Sequence, residues 1–353
     1  MSIAFVTGGN GFIGAVVVGK LVEAGWTVRC LLRPTSDTTR IAAWNWERIE
    51  GDLRNLSSLR AGVAGCDAVV HLASLSSWSA IHSPLMHEVV VGGTRNVLTA
   101  AAERGRPRVV FVSSILAVNG SDQPCVFDES AAFTLTDPTL SYSHCKRAAE
   151  ELCRESAARG LPVVIVNPAE VYGPNDTGLI TARNLIDFAK SNPVLVCRGG
   201  TGVVHVEDVA DAVVRALDRG CPGERYILSG ENLTVFELAA QTLELLGQRK
   251  RIVQLPNGLI RAAARWGPRL RIPLPFDPNV IPYATRYWFV SSARAQAELG
   301  VRFRPARETL ASVLGWLESR GRILLRPTTE GGAPPLTPRG DGERLGERVG
   351  NPP

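Results

Sequence analysis

TGGNGFIG, residues 7–14, is the stretch on which the reading of the fold turns. It follows a short β-branched run, Ile3–Val6, and leads into an amphipathic stretch, Gly14–Ala24. Strand, glycine turn and helix in that order are what a dinucleotide turn requires. One glycine makes the tight turn, one lets the backbone approach a pyrophosphate without a Cβ in the way, and one lets helix and strand pack closely. The helix N-terminus then presents free N–H groups and a partial positive charge to the phosphates. Gly8, Gly11, Phe12, Ile13 and Gly14 are therefore candidate cofactor-binding residues. The motif is one residue longer than G-x-G-x-x-G and is weak evidence alone; its place at the first strand-to-helix turn gives it weight.

Outward from the turn, β-branched runs recur at Val28–Leu32, Ala68–Leu72, Val109–Ser113 and Val163–Val166. Longer amphipathic stretches separate them, among them Val91–Arg104 and Ser143–Arg159. That alternation predicts βαβ units and an α/β fold, a Rossmann doubly wound parallel sheet. The runs are almost wholly apolar, as expected where helices cover both faces. After about residue 170 the pattern loosens. Helices are expected over 180–190, 234–247, 257–266, 291–299 and 306–320, and the Pro-rich stretch 272–283 is expected to be irregular. The expected organisation is a mainly dinucleotide-binding domain over 1–171. A small C-terminal substrate lobe follows over 172–325, with returning Rossmann segments at about 201–220. Residues 328–353 read as a disordered tail.

The chain's 353 residues are 45% hydrophobic and 21% charged, an ordinary globular composition. A net charge of +5 with no run of five basic residues gives no expectation of nucleic-acid binding. The seven cysteines are scattered with no C-x-x-C, which suggests reduced thiols and a cytoplasmic location, and neither they nor the five histidines suggest a metal site. No leader segment is evident, and no apolar run approaches the roughly 18–20 residues that span a bilayer, so stable membrane insertion is not expected.

The second strand ends in Arg33-Pro34, with Asp37 and Arg40 further along the loop. An acid at this strand end holds the ribose 2′-OH of NAD, whereas arginine meets the 2′-phosphate of NADP; Arg33 therefore favours NADP over NAD. Asp52 and Leu53, after a short third strand, are placed to edge the adenine. Ser113-Ser114 close the strand from Val109, and a hydroxyl there can polarise a substrate oxygen; Ser114 is assigned that role, with Ser113 facing the fold. Tyr142 and Lys146 lie four residues apart at the start of a helix and share one face. A phenol titrates near 10 when unperturbed, and a neighbouring ammonium together with the positive nicotinamide ring of the oxidised cofactor is expected to lower it, so Tyr142 reads as acid–base and Lys146 as its electrostatic partner; both are also expected to contact the cofactor, Lys146 by bonding the nicotinamide ribose.

Together these residues resemble the extended short-chain dehydrogenase/reductase superfamily over roughly residues 3–320. The markers are TGGNGFIG (7–14), GDL (51–53), HLAS (71–74), VVFVSS (109–114), YSHCK (142–146), NPAEVYGP (167–174) and HVEDVA (205–210). Within it, GERYILSGENLT (223–234), Arg33-Pro34 and Tyr287-Trp288-Phe289 are similar to dihydroflavonol-4-reductase-like and hopanoid-associated sugar epimerase-like proteins. The resemblance implies that Leu72, Ala73, Ser74 and Pro168 also contact the cofactor, that the substrate cleft lies between domain and lobe, and that two helices per subunit build a homodimer. Two departures stand out. Val90 occupies the position where the family usually has asparagine. Ile115-Leu116 stand where nucleotide-sugar dehydratases carry an Asp-Glu pair, so 4,6-dehydration is not expected.

The leading expectation is an NAD(P)-dependent enzyme reducing a ketone or aldehyde of a small, fairly apolar molecule. Leu75, Trp78 and Ile81 supply apolar surface for it. One alternative is a nucleotide-sugar 4-epimerase with tightly bound NAD, with Asn167, Arg183 and Arg215 as candidate diphosphate ligands. Another is a non-catalytic dinucleotide-sensing regulator on the same fold.

Overall fold

Runs of Val, Ile, Phe and Leu become central strands because their branched side chains pack on both faces of a pleated sheet. The structure, a computed structural model, describes residues 2–324 apart from 76, 77, 273 and 275. The strands are β1 (Ile3–Thr7), β2 (Thr27–Leu32), β3 (Glu47–Glu50), β4 (Ala68–His71), β5 (Arg108–Val112), β6 (Val126–Phe127), β7 (Val163–Pro168), β8 (Glu170–Tyr172), β9 (Val194–Val196), β10 (Gly200–His205), β11 (Arg225–Leu228), β12 (Glu231–Thr234), β13 (Ile252–Gln254) and β14 (Tyr287–Val290). The α-helices are α1 (Phe12–Glu23), α2 (Leu56–Val63), α3 (Pro84–His87), α4 (Gly93–Glu103), α5 (Ser141–Ala158), α6 (Ala182–Lys190), α7 (Val206–Arg219), α8 (Val235–Leu245), α9 (Asn257–Trp266), α10 (Ile281–Ala284) and α11 (Ala306–Ser319).

Seven strands form one parallel sheet in the order β11-β7-β5-β4-β1-β2-β3. The expected parallel sheet is thus found, with α1 packed on α7 and α4 lying between α2 and α5. β4 and β7 are buried along their whole length. Each such Val or Ile contributes about 1.5–3 kcal/mol on burial. The strand order turns back between β1 and β4, and Thr7 pairs with His71 at their C-terminal ends. That reversal opens the crevice in which ligands of open α/β sheets bind.

A second apolar core gathers Tyr172, Leu185, Val203, Leu238, Leu310 and Val313. It packs against a separate sheet ordered β12-β10-β14-β6, with β8 also on β10. The sequence reading missed this sheet, because its strands are two to six residues long and too short to show a period. The 201–220 segment also divides differently: β10 belongs to the second sheet, whereas α7 and β11 return to the first. Residues 291–299 hold a five-residue π-turn, Ala295–Leu299, and the Pro-rich stretch carries one short helix, α10. The expected tail, 328–353, lies outside the described residues.

Candidate active site

β1 ends at Thr7 and α1 begins at Phe12, so the glycine turn is the whole connection. Gly8 has φ +73, and a Cβ there would stand 2.7 Å from the Ala73 nitrogen. A Cβ on Gly14 would come to 2.0 Å from the Gly8 carbonyl oxygen. Gly11 caps α1 without a side chain, and the first turn carries no acid. Among the described residues no acceptor meets the N–H groups of Phe12 and Ile13. This cradle fits a pyrophosphate: bare backbone, free donors and no competing negative charge.

Beside it, a directed hydrogen-bond chain fixes the loop after β4. Thr94 Oγ1 donates to the Val90 carbonyl at 2.6 Å, so it accepts from His71 Nε2 at 3.1 Å. His71 Nδ1 must then accept from Thr7 Oγ1, at 2.7 Å, and Thr7 Oγ1 accepts from the Ala73 N–H at 3.3 Å. Burial, with the Lys146 charge adding to it, pushes His71 down to about 3, so the ring is neutral and this tautomer holds. Val90 itself is buried in a π-helical segment, Glu88–Gly92, and takes part through its backbone. The missing asparagine therefore leaves this anchor intact.

Tyr142 and Lys146 lie one turn apart on α5. Tyr142 lies in the first turn of α5, where its N–H donates to the Tyr283 hydroxyl at 3.1 Å. Lys146 is 2% exposed; its Nζ donates to the Val112 carbonyl at 3.0 Å and lies 5.8 Å from the centre of the Tyr142 ring. Burial brings Lys146 down to about 8, with Glu150 opposing. Burial pushes the Tyr142 phenol up to about 12, with the nearby Ser74 hydroxyl pulling the other way. Lys146 brings no lowering among the protein's own groups, and burial disfavours the phenolate. Ser114 is extended and half-buried, and its Oγ accepts from Leu116 N–H at 3.2 Å, which leaves the hydroxyl hydrogen for another partner. Ser113 is turned inward, donating to Glu150 Oε1 at 2.7 Å as expected.

Glu150, fully buried one turn beyond Lys146, is the hub behind this site. It accepts from Ser113, from Asn167 Nδ2 at 2.5 Å and from Arg154 Nη2 at 2.9 Å, and pairs with Arg225 at 3.5 Å. Asn167 also donates to the Ser114 carbonyl at 2.8 Å. Pro168 follows as the buried end of β7. Asn167 is thus committed to positioning Ser114. Arg183 and Arg215 are exposed on α6 and α7, and Arg215 lies near Gly300.

At the end of β2, Arg33 is exposed and its guanidinium forms no hydrogen bond or ion pair among the described residues. The Asp37 carboxylate is occupied by Thr39 N and Oγ1, and Arg40 bonds the Asn10 carbonyl and Thr177. Asp52 is held below the usual carboxylate range, chiefly by its bond to Arg54, with Arg33 contributing. Leu53 is buried against Gly93. On the opposite side Trp78 meets Tyr283 edge-on at 5.3 Å, and Tyr283 stacks on Trp288 at 6.2 Å, forming an aromatic wall beside Tyr142. Leu75 is part-buried and Ile81 is buried in the same core. The reading of the sequence overlooked Tyr283 and Glu150; Tyr283 lies 141 residues from Tyr142, and Glu150 is one of several acids on α5. Among the described residues no cluster of three His, Cys, Asp or Glu could hold a metal, and no helix is long and apolar enough to cross a membrane.

Residues 4–229 match the model of the NAD dependent epimerase/dehydratase family. The chain is 31% identical to sterol demethylase protein B of Methylococcus capsulatus over 90% of its length and 99% of that protein. It is also 31% identical, over 75% of its length and 80% of the relative, to a 4-hydroxy-2-methyl-3-oxo-4-farnesyl-3,4-dihydroquinoline-1-oxide ketoreductase of Stigmatella aurantiaca. Its fold superposes with a TM-score of 0.76 on a nucleoside-diphosphate-sugar epimerase of Pseudomonas aeruginosa, at 26% identity, covering 91% of this chain and 99% of that one. The fold and the family match agree: the chain belongs to the NAD dependent epimerase/dehydratase family, whose members of the extended short-chain dehydrogenase type are NAD(P)-dependent reductases, epimerases and dehydratases.

Proposed function

We propose that the protein reduces a ketone or aldehyde on a small, mainly apolar molecule, with Tyr142 as proton donor, Ser114 polarising the carbonyl and Lys146 as electrostatic partner. The observation that carries this reading is the Tyr142 phenol, held neutral by burial beside the aromatic wall of Trp78 and Tyr283. A neutral phenol is the form that gives a proton to a carbonyl oxygen. A bound reduced nicotinamide would supply hydride to the carbonyl carbon. Gly8, Gly11, Phe12, Ile13 and Gly14 would hold the pyrophosphate; Asp52 and Leu53 would edge the adenine; Leu72, Ala73, Ser74 and Pro168 would line the rest of the nucleotide. Ser114 Oγ then bonds the substrate oxygen, Tyr142 protonates it, and the charge on Lys146 stabilises the phenolate left behind. Two relatives support an apolar substrate by their names alone, one a sterol demethylase protein and the other acting on a farnesyl-bearing quinoline. A panel of ketones and aldehydes offered with NADPH and NADH tests the reading; turnover of none of them, with NAD copurifying and a nucleotide sugar being epimerised, would replace it by the epimerase. The regulator reading has less support, since Tyr142 and Lys146 are both present and adjacent on α5.

NADP is the preferred cofactor in this reading, because the Arg33 guanidinium at the end of β2 has no partner among the described residues and Asp37 is engaged within its own loop. A charge-assisted bond contributes about 1.5–3 kcal/mol, and exposure puts Arg33 at the low end. Arg33→Ala should therefore raise KM for NADPH about tenfold while leaving KM for NADH within about twofold; an equal change for both cofactors would remove the assignment. The groove between α4 and α5, where Leu98, Ala102 and Leu152 stand among the charged Arg95, Glu103 and Arg159, is the surface through which a homodimer would form.

The reaction's pH dependence follows from Lys146. A lysine brought down to about 8 is charged below that pH and neutral above it. Reductive kcat/KM should be level from pH 6 to about 7.5 and fall as pH rises through about 8, approaching tenfold per unit. A profile that stays flat to pH 9.5 would show that the lysine charge is not required.

A further inference from the structure

Between Glu244 and Asp277 the chain has no acidic residue and seven basic ones: Arg249, Lys250, Arg251, Arg261, Arg265, Arg269 and Arg271. The whole chain carries +5, so the remainder sums to −2 (5 minus 7) and the positive charge is concentrated here. Lys250 bonds the Phe188 and Ala189 carbonyls, and Arg261 pairs with Asp122. Arg265, Arg269 and Arg271 form no ion pair among the described residues, and all three are exposed. Apolar side chains stand among them: Leu259 is 62% exposed, Trp266 52%, Leu270 65% and Ile272 54%. Leu259 and Trp266 are seven residues apart, two turns of α9, and share one face. Ile260 and Ala264, on the opposite face, pack inward against Cys197 and Ile281. Helix α9 is therefore apolar on both faces, and the outer one has no cover from the fold. Arg265 and Arg269 lie 5.6 and 5.2 Å from the centre of the Trp266 ring.

We infer that this face docks on an anionic lipid bilayer, with Leu259, Trp266, Leu270 and Ile272 entering the headgroup boundary and Arg265, Arg269 and Arg271 meeting lipid phosphates. A large exposed apolar patch on a soluble fold marks an interaction surface. Tryptophan and leucine interleaved with unpaired arginines suit an interface that is apolar inside and negative outside. A nucleic-acid backbone would use the cations and leave exposed Leu and Ile unexplained. The same segment runs on to α10, where Tyr283 touches the Tyr142 backbone and Asn279 bonds the Trp78 carbonyl. Docking here would bring the aromatic wall close to the membrane surface. The binding itself does not depend on the proposed reaction.

Co-sedimentation of the full chain with phosphatidylcholine vesicles, with and without 30% phosphatidylglycerol, tests the inference. Binding is expected only with phosphatidylglycerol, weakened by salt as surface charge pairs are. The Arg265→Glu/Arg269→Glu pair should cut the bound fraction at least tenfold. Leu270→Glu, outside regular structure and mostly exposed, should do the same without touching the fold. Arg302→Glu, a remote exposed arginine, should leave binding unchanged. Equal binding to both vesicles, no binding, equal loss with Arg302→Glu, or patch variants that only alter self-association would each overturn it.

Discussion

Tyr142→Phe is expected to lower kcat for carbonyl reduction by about two to four orders of magnitude, the usual worth of a positioned acid–base group. The variant removes one oxygen. The ring keeps its packing, and the bond from residue 142 to the Tyr283 hydroxyl is made by the backbone, so it survives. The glycine cradle between β1 and α1 is untouched, so cofactor affinity should change no more than a few fold. A deficit confined to kcat is what loss of a group acting in the transition state produces. Single-turnover reduction of whichever carbonyl compound the panel identifies, alongside nucleotide titration and a thermal melt, separates the three effects. Undiminished turnover in a folded variant would remove Tyr142 from the mechanism. So would a loss that appears only in KM.

The parts of this molecule that were legible in advance are those where local chemistry and global fold impose the same residues. Gly8 and Gly14 are required by contacts to Ala73 and to the turn itself, and no other residue fits, so the motif is readable from a dozen positions. β1, β4, β5 and β7 announce themselves because burial on both faces demands continuous apolar runs. Ser114, Tyr142 and Lys146 could be chosen because the strand end and helix start place them. The rest depends on long-range pairing. Tyr283 sits in a stretch punctuated by prolines and reaches Tyr142 only through the tertiary fold. The rise of the Tyr142 phenol in the protein's own surroundings was not legible for the same reason: the Lys146 spacing is visible in sequence, but the burial that disfavours the phenolate is not. Val90 shows the converse, since it departs from the family pattern although the structure keeps its carbonyl oxygen in the Thr94 anchor and its side chain in the core.

Glu150→Gln should both destabilise the fold and move the enzyme's alkaline limit. The carboxylate is fully buried and bonds or pairs with Ser113, Asn167, Arg154 and Arg225. Arg225 is 6% exposed; burial works against its charge and Glu150 sustains it. Removing one member of such a pair leaves the other charge uncompensated, at a cost of about 3–5 kcal/mol. Arg154 is partly in water and loses less. For a domain of this size a loss of that order lowers Tm by roughly 10 °C, at about 2–4 °C per kcal/mol. Stability alone would not distinguish a positioning role from a packing one. The distinguishing effect acts on Lys146, whose charge Glu150 supports. Without that negative charge the lysine loses its proton more readily, so its midpoint must fall below about 8 and the descending limb of reductive kcat/KM must shift to lower pH. Ser113→Ala is the control: it removes one hydrogen bond to Glu150, costs about 1 kcal/mol and leaves the charge in place, so its limb should stay where the unmodified protein has it. If Glu150→Gln is destabilised with its pH profile unmoved, Glu150 holds the scaffold and nothing more. If the limb moves, the buried ion network behind α5 sets the pH range over which the active site works.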